Sequence, residues 1–179
     1  MKYEARQRIF GSPSVQPLWV ADMDFAAPSA VVDALKARAR HPIYGYTEHD
    51  PDLFPAVAAW CQQRHGWSPD VGHMMLVPGV VPSLYAVVAA FTHPGDAVII
   101  QPPVYPPFFS AIWEQERRVL ENPLRCVEGR YVMDLDHFEH CARRARLFLL
   151  CSPHNPVGRV WSEAELQDLL SICERHDVL

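Results

Sequence analysis

The chain has 179 residues, 49% of them apolar and 21% charged, which suffices for a core about the size of one domain. A net charge of −5 and arginines scattered from Arg6 to Arg175 exclude the basic stripe that nucleic acid requires of a partner. The longest apolar stretches, residues 86–91 and 147–151, fall short of the roughly 20 residues that cross a bilayer, so no membrane association is expected.

The opening residues, Met1 to Arg6, lack the apolar region of a secretory signal, which leads to the expectation of a cytoplasmic protein. Five cysteines at 61, 126, 141, 151 and 173, with no C-x-x-C spacing, argue for reduced and mostly buried thiols. Many of the 17 prolines stand in pairs or beside turn residues and punctuate ordered loops.

Val31, Val32 and Leu35 have helical spacing and predict a first helix over residues 28–40, with Pro28 or Ser29 in its first turn. A short aromatic loop, residues 43–47, precedes a second helix over 52–65. Val57, Trp60 and Cys61 form that helix's apolar face, and Gly66 is placed to cap it. The pattern then alternates between strand and helix, which predicts an α/β domain with a mostly parallel sheet flanked by helices. Strands are expected at 74–77, 97–100, 118–120 and 147–150, and helices at 82–92, 106–116 and 134–144, the last capped by Asp134. A last helix begins at a capping box formed by Ser162 and Glu165. Asp177, Val178 and Leu179 look like the approach to a further buried strand, so the sheet is expected to be incomplete. Trp60, Trp113 and Trp161 are expected to be packing residues.

Three loops could carry chemistry, each expected to follow a strand, where open α/β sheets build ligand sites. Residues 77–83 (VPGVVPS) lead into a helix whose free N–H groups favour an anion such as phosphate; an ordinary tight turn explains the same residues. In residues 101–109 (QPPVYPPFF) the prolines would hold Tyr105 rigidly enough to stack on a flat heteroaromatic ligand. A polyproline partner motif or a plain structural loop is the alternative there. Residues 151–158 (CSPHNPVG) follow the most apolar strand, and Asn155 taken alone is an Asn-Pro turn residue. G-x-G-x-x-G and P-loop patterns are absent.

Ser152 to Trp161 (SPHNPVGRVW) resembles the SPxNPTGxxW signature of class I/II aminotransferase-fold enzymes. W-V-A-D-M-D-F at 19–25, Y-G-Y-T at 44–47, G-V-V at 79–81 and P-V-Y at 103–105 resemble, in order, segments of the MalY/PatB-type cystathionine β-lyases. The resemblance runs from about residue 2 to residue 179. It implies a pyridoxal 5′-phosphate-dependent, transferase-like large domain, present in part. Residues 1–50 would be an N-terminal arm with a small-domain segment, and 51–179 the first part of the cofactor-binding domain.

By the same resemblance, the backbone amides of Val80 and Val81 would hold the cofactor phosphate. Tyr105 would stack on the pyridine ring, and Asn155 would hydrogen-bond the phenolic oxygen and stabilise its anion. Tyr46 would reach the phosphate in a neighbouring subunit, which implies a homodimer, and Asp22 and Met23 would lie near the carboxylate of an amino-acid substrate. Val157 stands where the family usually has threonine, outside these contacts.

The lysine that bonds the cofactor covalently, in an S-x-S-K-like segment, and the aspartate of a D-E-x-H segment have no counterpart here. Lys2 and Lys36, the only lysines, precede every cofactor loop, so no catalytic residue is assigned. No metal is expected either: His137 and Cys141, one helical turn apart, are two ligands at most, and Asp22 with Asp24 lacks the rest of a calcium loop. For the complete protein the resemblance implies a carbon–sulfur β-lyase acting on cystathionine or cysteine S-conjugates, yielding pyruvate, ammonia and a thiol. An aminotransferase on the same scaffold and a catalytically inert remnant are the alternatives.

Overall fold

The computed structural model describes residues 2–179, which divide into two compact units at Pro69 and Asp70. In the second unit the sheet has three parallel strands in the order β2 (Arg118–Glu121), β1 (Ala97–Ile100), β5 (Leu147–Phe148). Every residue of β1 is buried, as its unbroken apolar run requires of a strand covered on both faces. Its side chains alternate between two cores.

On one face Val98 and Ile100 pack with Leu147 and Leu149 against Val88 of α4 (Val80–Phe91) and Phe108 and Ile112 of α5 (Pro107–Trp113). On the other, Ile99 meets Phe138 and Cys141 of α6 (Leu135–Ala142) and Leu169, Ile172 and Cys173 of α7 (Glu163–Arg175). The expected helix–sheet–helix arrangement is therefore present. Both expected caps form: the Asp134 carboxylate accepts from the His137 amide, and Ser162 and Glu165 close a reciprocal box.

Leu179 continues the sheet beside β5. Its N–H donates to the Arg146 carbonyl at 3.2 Å and its carbonyl accepts from Phe148 at 2.8 Å. A hairpin that sequence patterning did not indicate joins β3 (Arg125–Val127) to β4 (Arg130–Val132). Its two-residue turn places Glu128 and Gly129 at φ 50° and 79°, the conformation such turns need.

Other expectations require correction. Residues 74–77 form no strand; no described strand pairs with them and Met75 is 81% exposed, so neither ladder bonds nor burial support one. Residues 147–150 are a strand only at Leu147 and Phe148, although the Leu149 amide still donates to Ile99. Of the five free cysteines only Cys141 and Cys173 are buried. Trp161 is buried, but Trp60 and Trp113 are exposed. Trp60 carries the Arg64 guanidinium 4.7 Å from its ring centroid, and Trp113 faces Phe109 at 5.9 Å.

In the first unit lie α1 (Arg6–Phe10), α2 (Ser29–Arg40) and α3 (Leu53–His65), the last closed by left-handed Gly66. The two longer helices fall where periodicity puts them, yet neither has a buried residue. The expected apolar face of α3 is therefore largely uncovered, with Val57 and Trp60 exposed. Among the described residues no helix is long and apolar enough to cross a membrane.

Phe138 is fully buried and meets Phe148 edge-on at 4.9 Å. Truncating it leaves a cavity between α6 and the sheet, so Phe138→Ala is expected to lower unfolding free energy by about 3–5 kcal/mol. Urea denaturation measures this; a loss under about 1 kcal/mol would mean that the face is not packed as described.

Candidate functional site at the strand ends

The topology creates a crevice where β1 and β5 lie side by side. From β1 the chain passes through α5 on one face of the sheet to β2, whereas from β5 it passes through α7 on the other face to Leu179. The loops leaving the two strands thus diverge, and open α/β sheets bind ligands at such a reversal. Tyr105 lies in the loop after β1 and Asn155 in the loop after β5. The turn through Gly95 joins α4 to β1, and α4 packs on the same face as α5. The first turn of α4, with Val80 and Val81, is thereby carried to the same side as the end of β1.

Gly79 caps α4 with φ 124° and ψ 170°, a backbone that residues with a Cβ rarely adopt. The amides of the first helical turn have no preceding turn to bond. Pro82 has no N–H, and Ser83 spends both its amide and its hydroxyl on the Gly79 carbonyl, at 3.3 and 2.8 Å. Val80 and Val81 are left as the donors at the positive end of the helix dipole.

Tyr105 is 39% exposed between buried Val104 and α5, whose start is pinned by the Phe108 amide donating to the Tyr105 carbonyl at 3.0 Å. Asn155 is exposed, and its carboxamide makes no hydrogen bond among the described residues; only its backbone amide is engaged, by Cys151 Sγ at 3.4 Å. Around it the loop is braced. His154, 1% exposed, donates from Nε2 to the Pro103 carbonyl at 3.0 Å. Its ring meets Trp161 edge-on at 5.6 Å, and Trp161 Nε1–H donates to the Cys151 carbonyl at 3.0 Å.

Arg159 stacks 4.4 Å from the Trp161 centroid, donates to the Tyr131 carbonyl and forms a two-point ion pair with Glu165 at 2.5 and 2.7 Å. Burial pushes the Glu165 carboxyl up, but the Ser162 amide and hydroxyl and the Arg159 guanidinium outweigh it, so the net displacement is downward. One acidic side chain thus caps α7 and anchors the arginine. Below the loop after β1, Gln101 donates to Asn122, whose amide in turn donates to the Asp134 carbonyl and contacts His137 Nδ1. His137 is so occupied, and Cys141 Sγ turns to the Glu121 carbonyl.

Asp22, Met23 and Tyr46 belong to the first unit. Asp22 and Met23 line a hollow with Lys2, Tyr3, Asp24 and Phe25. Lys2 holds it together, donating to the Asp22 carbonyl at 2.8 Å and pairing with the Asp24 carboxylate at 3.2 Å. Tyr46 is fully exposed. Sequence reasoning did not single out His154, Arg159 or Lys2 as supports. His154 and Arg159 lie inside the recognised motif, and the only available signal was two ionisable residues in a loop that ends on a packing tryptophan.

Residues 17–179 match the family model described as aminotransferase class I and II, and the chain belongs to that family. It is 43% identical over 180 residues to the cystathionine β-lyase PatB of Bacillus subtilis, covering 99% of this chain and 46% of the relative. Among solved structures, a PLP-bound putative aminotransferase from Clostridium difficile 630 superposes with a TM-score of 0.91 at 38% identity, covering 99% of this chain and 46% of that one. Cystalysin from Treponema denticola, which contains pyridoxal 5′-phosphate, gives 0.85 at 40% identity, covering 92% and 42%. The chain spans about half the length of the relatives it matches.

Burial drives the His154 pKa below its ordinary value of 6.5, against the opposing pull of the hydrogen bond to the Pro103 carbonyl. In the fold the ring stays neutral to lower pH than in the unfolded chain, which takes up a proton from about pH 6.5 downward. This contribution to stability is therefore intact above about pH 6.5 and is lost as pH falls toward the depressed folded value, by at most about 1.4 kcal/mol per pH unit. Urea denaturation between pH 7 and 5 is expected to show a steeper loss for wild type than for His154→Gln; equal slopes would contradict a buried neutral ring.

Proposed function

We propose that this chain forms the first part of a pyridoxal 5′-phosphate-dependent carbon–sulfur β-lyase that acts on cystathionine or related cysteine S-conjugates. The observation that carries the reading is the divergence of the loops that leave the adjacent strands β1 and β5, Tyr105 lying in one and Asn155 in the other. The 43% identity to a cystathionine β-lyase and the W-V-A-D-M-D-F segment at 19–25 favour the lyase over an aminotransferase.

The residues present fit the cofactor's chemistry. Two free amides at a helix start suit a phosphate dianion, an exposed phenol ring in a proline-braced loop suits a flat pyridine, and an unpaired carboxamide suits a phenolic oxygen. When bound, the cofactor supplies an electron sink for the charge left by loss of the substrate's Cα proton. Val80 and Val81 would hold the phosphate, Tyr105 would stack on the ring, and Asn155 would donate to the phenolic oxygen and favour its ionised form. By the family resemblance, Asp22 and Met23, in the segment that Lys2 holds, would lie near the carboxylate of the substrate.

The same reading has residues 1–50 as an arm and small-domain segment and 51–179 as the start of the cofactor-binding domain. It also includes a cytoplasmic homodimer in which exposed Tyr46 reaches the phosphate of the neighbouring subunit. The covalent lysine would come from sequence beyond these residues.

Full-length protein incubated with pyridoxal 5′-phosphate and L-cystathionine is expected to release pyruvate, ammonia and the thiol homocysteine in equal amounts with no added keto acid. Amino transfer that depends on a keto acid and releases no thiol would establish the aminotransferase alternative instead. Loss of one charge-assisted hydrogen bond costs about 1.5–3 kcal/mol, so Asn155→Ala is expected to weaken cofactor binding about ten- to hundredfold in a spectroscopic titration. Unchanged affinity would remove Asn155 from the site.

A further inference from the structure

The loops that carry Tyr105 and Asn155 are tied to each other by one side chain. Within residues 152–158 only His154 is buried; Ser152, Pro153, Asn155, Pro156 and Gly158 are exposed. Its Nε2 lies 3.0 Å from the Pro103 carbonyl, across the crevice between β1 and β5. A carbonyl only accepts, so Nε2 carries the proton; Nδ1 is buried without a partner and is the bare nitrogen of the neutral ring.

The backbone of His154 is held as firmly as its ring. Its N–H donates to Arg159 and its carbonyl accepts from Gly158 at 2.7 Å, while Trp161 backs the imidazole. Asn155 directly follows this fixed point, and Tyr105 lies two residues beyond Pro103.

Building on the cofactor reading above, we propose that His154 is a positioning residue: its Nε2–H bond to Pro103 sets the spacing between Tyr105 and Asn155 across the crevice. It touches neither substrate nor cofactor. Its effect is geometric, since a ring stacked on Tyr105 and bonded at its edge to Asn155 tolerates little change in their separation.

Three substitutions separate the tether from general packing. His154→Gln keeps an amide donor at about the reach of Nε2, His154→Asn offers one only at the reach of Nδ1, and His154→Phe keeps the ring edge on Trp161 without a donor. In the 179-residue chain, hydrogen exchange is read at Phe108 and Gly158, whose amides close the two loops. It is compared with Ile99 in the central strand, so a variant that is merely less stable moves all three together. Affinity for pyridoxamine 5′-phosphate, which cannot form a Schiff base with lysine, is measured alongside.

His154→Phe and His154→Asn are expected to raise exchange at Phe108 and Gly158 relative to Ile99, and the Kd for the probe, by about tenfold, as loss of one buried hydrogen bond implies. His154→Gln should stay within about threefold of wild type on both. If one donor-deficient variant does not fold, the other decides. Donor-deficient variants that match wild type, or a His154→Gln as impaired as they are, would overturn the proposal. A wild-type chain that binds no probe counts against the cofactor reading instead, and the exchange ratios still decide the tether.

Discussion

The second unit depends on the burial of β1 on both faces. Four consecutive apolar residues, Ala97 to Ile100, are removed from water, and a strand's alternation sends Val98 and Ile100 to one helical layer and Ile99 to the other. A strand so placed must be central, with β2 on one side and β5 on the other. Because the helices that follow β1 and β5 cover opposite faces, their loops separate at the strand ends. The crevice that faces Tyr105 and Asn155 is thus a consequence of how apolar surface is buried, before any polar residue takes part.

Polar interactions then stiffen what the core has placed. Arg159 is buried with its charge answered by Glu165, its plane laid on Trp161 and one N–H given to Tyr131 of the hairpin. Breaking such a pair leaves an uncompensated buried charge, a penalty of about 3–5 kcal/mol. The loop around Asn155 therefore sits on a rigid base while the Asn155 side chain stays exposed. In the first unit Lys2 plays a similar part for the segment that holds Asp22 and Met23, with one ammonium bonding a carbonyl and a carboxylate two residues apart.

Much of this was legible in the sequence wherever a local signal coincided with burial. The apolar run of β1, the Asp134 cap and the Ser162–Glu165 box each specify an element from adjacent residues, and each is present. Residues 74–77 have the same apolar character as a buried strand but no strand partner among the described residues, and pairing is a property of the whole chain. The β3–β4 hairpin was missed because its signal is a single Glu-Gly turn between strands of only three residues each. The motif around Asn155 was recognisable as a family signature, whereas the bond from His154 to Pro103 joins residues 51 positions apart, and no spacing rule reaches that far.

The central claim is that the strand ends of the second unit hold a flat, phosphorylated cofactor among Val80, Val81, Tyr105 and Asn155. It is tested most directly by following the backbone and side-chain amide resonances of the 179-residue chain as pyridoxamine 5′-phosphate is added. The account predicts saturable shifts concentrated at Val80, Val81, Tyr105 and the Asn155 carboxamide, with the α6–α7 face around Phe138 and Leu169 unmoved. Shifts concentrated on another surface, or no saturable change at these four residues, would contradict it.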